Sequence, residues 1–277
     1  MDLAFQTTIA APVSYTGVGL HSGKDVTMKL QPAEADTGIV FTRVDLPGQP
    51  QVEAKAENVT STLRATTIED NGIKMFTIEH VMSALHGAGI DNVEICINAE
   101  EPPVADGSSR EFFQLLQKAG LRQLDKERQE IVIDQLYRVD DGDKFVLALP
   151  YDGFRVSFTS INPHPLIGIQ YGDYEITEEN YLKEIAPART IAYEKEVEAL
   201  HQMGLGLGGT LENVIVYNDE GWMNPLIYPD ELVRHKILDL VGDLRLAGIV
   251  KGHFVAVKSG HALNTTMSKL LKAKLGK

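Results

Sequence analysis

Apolar and polar side chains alternate through the first sixty residues of the chain. Two examples are residues 26–30 and 38–42, which lie between turn-forming residues. A period of two places successive side chains on opposite faces of a strand, so one face can be buried while the other stays solvated. The pattern therefore predicts a meander of antiparallel strands in this region.

Helical spacing begins at Thr77, which is a suitable N-cap. Apolar residues then recur at intervals of three and four, at Ile78, Val81, Met82 and Leu85. This spacing predicts a helix that ends near Gly89. A strand at 92–98 and a second helix after Asp106-Gly107-Ser108 follow, so the order is helix, strand, helix.

The C-terminal half repeats this order with different residues. Its pattern predicts a helix over 230–247, a strand over 253–257 and a helix over 261–274. The charged stretch 121–130 is then a natural linker. We predict an α+β fold of two similar domains, 1–124 and 129–277, each with a mainly antiparallel sheet and two helices.

Residues 187–216 do not fit the repeat and are predicted to be an insertion. They contain a helix whose faces mix apolar and polar residues, the glycine-rich stretch 203–209 and a strand. No strand precedes the glycines and no clear helix follows them, which argues against a nucleotide-binding loop. The exposed apolar side chains of the insertion need a binding partner, and the glycine-rich stretch is either a loop or the lining of a narrow space.

Composition narrows the class of protein. The chain has 277 residues and 43% hydrophobic content, enough for a full core. No apolar run reaches the roughly 18 residues of a membrane span, and the N-terminus lacks a basic signal region, so we expect a cytoplasmic protein without stable membrane insertion. A net charge of −13 argues against nucleic acid as a partner. An anionic substrate would need a local basic pocket.

Three side chains with metal-binding chemistry share a face of the helix predicted at 230–247. His235, Asp239 and Asp243 are spaced by four residues, which stacks them one turn apart. Imidazole and carboxylate suit Zn²⁺, but a catalytic zinc has three protein ligands and an open position. A third ligand must come from elsewhere in the chain, and residues 77–80 and 258–261 offer candidates. A polar stripe on a solvated helix would give the same spacing.

Glu79 and His261 have the chemical types of a general base and a general acid. A water that attacks an amide needs a group to take its proton and another to protonate the leaving amine. Glu79 is also explained as a first-turn carboxylate favoured by the helix dipole. The motif His-Glu-x-x-His is absent. His21 lies in a glycine-rich turn that can approach a ligand.

Seven phrases of the sequence together closely resemble the UDP-3-O-acyl-N-acetylglucosamine deacetylase family. They occur in the order YTGVGLHSG at 15–23, TIEH at 77–80, DGS at 106–108, ART at 188–190, GLGG at 206–209, VRHKILDLVGD at 233–243 and KSGHALN at 258–264. The resemblance covers nearly the whole chain. It implies a zinc amidase that removes acetate from an acylated UDP-glucosamine, the committed step of lipid A biosynthesis in Gram-negative bacteria.

The resemblance also implies roles for individual residues. His80, His235 and Asp239 would be the zinc ligands, and Fe²⁺ is compatible with the same donors. Glu79 would be the general base and His261 the general acid, with Asp243 orienting the imidazole. The residues that polarise the acetyl carbonyl would be Thr190 and Lys236. The helices would pack between the sheets, with the active site at the domain interface.

Substrate contacts are implied in the same way. Lys144 and Lys258 would lie near the nucleotide diphosphate and supply the basic pocket. The acyl passage would be lined by Val197, Leu200, Gly209, Thr210, Val214 and Val216. Further contacts would come from Leu20, His21 and Ile191, the last standing where the family often has Phe.

Three readings of the site therefore compete. They are the UDP-sugar deacetylase, a zinc amidohydrolase of another N-acetyl sugar, and a noncatalytic sugar-nucleotide binding protein. The intact set of chemical residues argues against the last, and the apolar insertion argues against a substrate without an acyl chain. In some members of the family the enzyme is fused to a dehydratase domain, and the resemblance leaves open whether the natural chain continues into such a domain.

Overall fold

The computed structural model describes residues 4–276. In the N-terminal half the strands are β1 (Phe5–Ile9), β2 (Val13–Val18), β3 (Asp25–Pro32), β4 (Ile39–Arg43), β5 (Gln51–Glu53), β6 (Val59–Ser61), β7 (Thr67–Asp70), β8 (Ile73–Met75) and β9 (Val93–Ile97). The helices there are α1 (Glu79–Gly87) and α2 (Arg110–Ala119), with a 3₁₀ turn at Ala56–Asn58.

The C-terminal half has a matching set of elements. Its strands are β10 (Leu121–Glu127), β11 (Glu130–Val132), β12 (Tyr137–Asp141), β13 (Lys144–Leu149), β14 (Phe154–Ile161), β15 (Ile169–Glu175), β16 (Ile191–Tyr193), β17 (Ile215–Tyr217) and β18 (Ile249–Val257). Its helices are α3 (Glu178–Asn180), continued by a π-helical turn at Tyr181–Ile185, then α4 (Glu194–Gln202), α5 (Glu231–Arg245) and α6 (His261–Leu275).

The two large sheets have the same strand order. The first is β2-β3-β9-β4-β5, and the second is β12-β13-β18-β14-β15. In the second sheet the short strand β11 also pairs with β18, in the parallel sense. In each sheet the strand between two helices lies at the centre, antiparallel to one neighbour and parallel to the other. The α+β class is therefore confirmed, with the repeat visible in the topology. The predicted meander is wrong, because β9 separates β3 from β4.

Each half also carries an added segment at the same topological position, between its fourth sheet strand and its first buried helix. In the N-terminal half this segment forms the small sheet β6-β7-β8. In the C-terminal half it contains α3, α4 and the parallel pair β16-β17. The predicted insertion at 187–216 lies within this second segment.

The helices form the layer between the sheets, as expected. α5 packs against α1, β14 and β15, while α2 packs against β2 and α6 against β12. The two central helices meet closely at Gly242, where a Cβ atom would lie 2.1 Å from the backbone oxygen of Glu79. A glycine inside α5 costs helix propensity, but here it lets α1 begin directly beside α5. One buried apolar cluster spans both halves.

Two local predictions were wrong. The stretch predicted as a linker at 121–130 mostly forms β10, which pairs with β1. Its charged side chains are exposed on a two-stranded ribbon. The sequence therefore lacks the alternation of apolar and polar residues that would have predicted a strand. Thr77 is not the cap of α1, because the helix begins after Ile78 and Thr77 has a positive φ of 55°. The domain boundaries at 124 and 129 stay a prediction. Among residues 4–276 no helix is long and apolar enough to cross a membrane.

Candidate metal centre and active site

The first turn of α1 and the middle of α5 bring His80, His235 and Asp239 together. One potential ligand atom from each side chain lies within 4.8 Å of the others. The Nε2 atoms of His80 and His235 lie 3.7 Å and 3.4 Å from Oδ1 of Asp239. The two imidazole rings are perpendicular, with centroids 5.0 Å apart. Three donors therefore converge on one point.

The protonation states of these three groups suit a cation. Burial disfavours the imidazolium form and lowers the pKa of both histidines, to about 3 for His80. Burial opposes ionisation of Asp239, but electrostatic interactions with the facing His235, Lys236 and His261 outweigh it and hold the pKa of this carboxyl well below its usual range. Two neutral imidazoles and one carboxylate are the donors that Zn²⁺ accepts.

The hydrogen bonds of these three side chains leave one carboxylate oxygen of Asp239 available to a metal. Oδ1 of Asp239 is buried and has no hydrogen-bond partner among residues 4–276. Its other oxygen, Oδ2, accepts from Nζ of Lys236 at 3.1 Å. Nδ1 of His235 lies 3.0 Å from the backbone oxygen of Ala188, which orients Nε2 toward Asp239. A buried acceptor without a donor is costly, and a bound cation would satisfy it.

A second set of titratable groups lies directly beside the first. Nε2 of His261, at the start of α6, is 3.7 Å from Oε1 of Glu79. Nδ1 of the same ring donates to Oδ2 of Asp243 at 2.8 Å, and Asn264 Nδ2 donates to the same oxygen at 2.9 Å. Asp243 lies one turn beyond Asp239 on α5 and is fully buried. It therefore holds the imidazole rather than facing the cavity.

The pKa values of this second set are shifted in the directions that acid–base catalysis requires. Burial raises the pKa of Glu79 to about 7, with the nearby Asp239 and Asp243 adding to the effect and His261 opposing it. Burial would lower the pKa of His261, but Asp243 and Glu79 outweigh it and raise the value to about 10. Near neutral pH Glu79 can accept a proton, while His261 carries one to give.

The two sets open into one cavity of about 500 Å³. Most of the residues predicted for the site line it: Leu20, His21, Glu79, His80, Thr190, Ile191, Val197, Leu200, Gly209, Thr210, Val214, Val216, His235, Lys236, Asp239 and His261. We call the part of the wall with the metal donors, Glu79 and His261 the polar end, and the part with Val197 and Leu200 of α4 and Val216 of β17 the apolar end. The added segment of the C-terminal half thus forms one wall of the cavity.

Two predicted substrate residues lie elsewhere. Lys144 is exposed at the start of β13, and Lys258 pairs with Asp143. Neither belongs to the cavity wall that residues 4–276 form. The one lysine on this wall is Lys236, whose pKa is raised because Asp239 outweighs the effect of burial.

Several residues at the site have no predicted role, because the fold alone brings them there. Arg64, Leu211 and Met223 line the cavity. Thr66 and Asn264 bond to the carboxylate of Asp243. Asn264 could have been found, since it stands three residues after His261 and shares its helix face. Arg64 and Thr66 lie in a loop without periodicity, so no local pattern marks them.

A cavity that combines two neutral imidazoles, a metal-accessible carboxylate and an acid–base pair defines a metal-dependent hydrolase. Comparison with known proteins identifies the particular kind. Residues 6–273 match the family described as UDP-3-O-acyl N-acetylglycosamine deacetylase, so the chain belongs to that family, as the seven phrases predicted.

Individual relatives are similar over nearly their whole length. A protein of Geotalea uraniireducens named UDP-3-O-acyl-N-acetylglucosamine deacetylase is 44% identical over 265 residues, which is 95% of this chain and 86% of the relative. A protein of the same name from Campylobacter lari is 45% identical over 269 residues, covering 96% and 91%. Another from Anaeromyxobacter dehalogenans is 44% identical over 271 residues, covering 97% and 87%.

Proposed function

We propose that this protein hydrolyses the acetamide of UDP-3-O-acyl-N-acetylglucosamine to give UDP-3-O-acyl-glucosamine and acetate, the committed step of lipid A biosynthesis. One structural observation supports this proposal in addition to membership of the family. The three metal donors and the Glu79–His261 pair occupy the polar end of a cavity whose other end is apolar. A substrate with an amide near a long acyl chain matches both ends.

The metal of this proposal is zinc, held by His80, His235 and Asp239. The unpartnered buried oxygen of Asp239 and the two neutral imidazoles support this set over the alternative of Glu79, Asp239 and His261. In that alternative, His261 would have to lose a proton that Asp243 and Glu79 stabilise. Bound zinc would supply Lewis-acid polarisation of an oxygen, and Fe²⁺ is compatible with the same donors.

The side chains move the protons of the reaction. Glu79 takes a proton from water as the water oxygen adds to the acetyl carbon. His261 gives its proton to the nitrogen as the carbon–nitrogen bond breaks, so that acetate and a free amine result. Asp243 keeps the Nε2 side of the imidazole turned to the reaction by accepting from Nδ1. Lys236 and Thr190, both on the cavity wall, polarise the carbonyl oxygen.

The acyl chain of the substrate would lie along the apolar end of the cavity. Val197, Leu200, Val214 and Val216 provide this surface together with the glycine-rich stretch at Gly209-Thr210. Leu20, His21 and Ile191 also line the cavity and would provide further contacts to the substrate. Lys144 and Lys258 remain proposed contacts of the diphosphate outside the cavity wall. A cytoplasmic location belongs to the same proposal.

A metal analysis combined with two substrates tests this function. The purified protein should contain about one zinc and should release acetate from the acylated UDP-sugar far faster than from UDP-N-acetylglucosamine. Equal kcat/KM for both substrates would favour a general amidohydrolase of N-acetyl sugars. Binding of the UDP-sugar without acetate release, at full zinc content, would favour a noncatalytic binding protein.

A further inference from the structure

Thr66 stands between the two carboxylates that flank His261. It is fully buried and lies just before β7, in the added segment of the N-terminal half. Its backbone N–H donates to Oε2 of Glu79 at 3.1 Å, and its hydroxyl donates to Oδ1 of Asp243 at 2.5 Å. The two carboxylates come from different helices, so Thr66 links α1 to α5 through hydrogen bonds.

The oxygens of the two carboxylates are divided between Thr66 and His261. Thr66 engages Oε2 of Glu79 and Oδ1 of Asp243, and the ring of His261 faces Oε1 of Glu79 and Oδ2 of Asp243. Thr66, the two carboxylates and His261 therefore form a closed ring that includes the acid–base pair. If Oδ1 of Asp243 lost its donor, the buried carboxylate would be free to rotate and compete for other donors.

We propose that Thr66 is a positioning residue that sets the general base and the general acid of the deacetylase at their working separation. This rests on the proposed function of Glu79 and His261. Thr66 does not line the cavity and so acts through its two neighbours. Groups that orient a functional side chain through a hydrogen bond, without touching the substrate, typically contribute about 10–100-fold in activity.

The chain supplies a matched control in the next residue. Thr67 is also a buried threonine, and its hydroxyl makes no hydrogen bond among residues 4–276. Thr66→Val and Thr67→Val remove the same atom at adjacent positions. We expect Thr66→Val to lower kcat about 10–100-fold with unchanged KM and zinc content, and Thr67→Val to stay within about twofold of wild type.

Two further variants keep the test decisive if Thr66→Val does not fold. Thr66→Ser retains the hydroxyl and should restore wild-type kcat. Thr66→Cys has a similar size but only a weak donor, so its kcat should lie between those of the serine and valine variants. Equal kcat for the serine and cysteine variants would overturn the proposal, as would equal kcat for Thr66→Val and Thr67→Val.

A spectroscopic readout separates this proposal from the proposed function. The Nδ1–H proton of His261, identified by its loss in His261→Ala, should shift in the NMR spectrum of Thr66→Val and remain in place in Thr67→Val. An unchanged signal in Thr66→Val would show that Thr66 does not control the Asp243–His261 contact. This measurement needs no turnover. If the wild-type protein does not deacetylate the UDP-sugar, the proposed function fails and the NMR comparison still decides the role of Thr66.

Discussion

The two halves of the molecule share a strand order but make different contributions to the site. In the N-terminal half, α1 supplies Glu79 and His80 from a single turn at its beginning. In the C-terminal half, α5 supplies His235, Asp239 and Asp243 over three turns, and α6 supplies His261. Neighbouring residues on a helix point about 100° apart, so Glu79 and His80 can serve different groups. A repeated scaffold therefore does not produce a repeated site.

The added segments differ even more than the helices do. The segment of the N-terminal half contains Thr66, which bonds to the carboxylates of Glu79 and Asp243, and Arg64, which lies on the cavity wall. The segment of the C-terminal half carries α4 and β17, whose apolar side chains line the far end of the cavity. The proposed chemistry and the proposed substrate selection thus depend on different parts of the chain, and variants can separate them.

The largest effect should come from the contribution of α5 to the metal centre. Asp239→Ala removes one of three donors, so we expect metal content to fall and turnover to drop by more than the ~10²–10⁴-fold of an acid–base variant. Metal analysis after dialysis and a deacetylation assay check this. Asp230→Ala, at the beginning of the same helix and outside the cavity, is the control. A full metal equivalent bound with unchanged affinity in Asp239→Ala would remove Asp239 from the ligand set.

The acid–base pair, one member from each half, should show the next largest effect. Glu79→Gln and His261→Gln should each lower turnover by about 10²–10⁴-fold while zinc content stays normal. The wild-type pH profile should be a bell. Activity rises with pH as Glu79 loses its proton and falls at higher pH as His261 loses its own. The positive charge of the metal moves both limbs to lower pH. Near-normal turnover in Glu79→Gln would rule Glu79 out as the base.

The apolar wall should affect substrate choice without affecting chemistry. Val197→Asp places a charge where the acyl chain would lie, and each buried methylene is worth about 0.8 kcal/mol. We expect kcat/KM for the acylated substrate to fall by about tenfold or more, with little change for UDP-N-acetylglucosamine and normal zinc content. Glu198→Ala, at the next and exposed position of α4, is the control. Equal losses on both substrates would argue against an acyl passage.

The smallest effect concerns stability where α1 meets the sheet of the other half. His86 packs on Phe154 of β14 with ring centroids 4.4 Å apart, and burial beside Arg245 and Arg128 lowers its pKa to about 3. The unfolded chain binds a proton near pH 6.5 and the folded one does not. The contribution of His86 to stability is therefore lost as pH falls below about 6.5.

Urea unfolding at pH 7 and pH 5 measures this loss. We expect the wild-type protein to lose about 2 kcal/mol more of its unfolding free energy over this range than His86→Asn, which cannot take up the proton. The same pH dependence in both proteins would show that His86 titrates normally in the folded state.

Much of the fold was visible in local patterns. The predicted helices at 230–247 and 261–274 agree with α5 and α6 to within two residues. The shared face of His235, Asp239 and Asp243 also followed from spacing alone, because a helix places residues four apart on one side whatever surrounds it. The resemblance to the deacetylase family, carried by seven short phrases, was confirmed by the comparisons.

Tertiary structure decided what local patterns do not encode. The position of β9 between β3 and β4 depends on pairing between strands more than fifty residues apart. The periodicity of each strand does not specify which strands will pair. Thr66 lies 13 residues from Glu79 and 177 from Asp243, in a loop with no pattern of its own. Its proposed role depends on the close approach of α1 and α5 at Gly242, which brings two carboxylates to the backbone N–H and the hydroxyl of one buried threonine. Spacing within an element is fixed by backbone geometry, whereas contacts between elements arise from the packing of the whole chain.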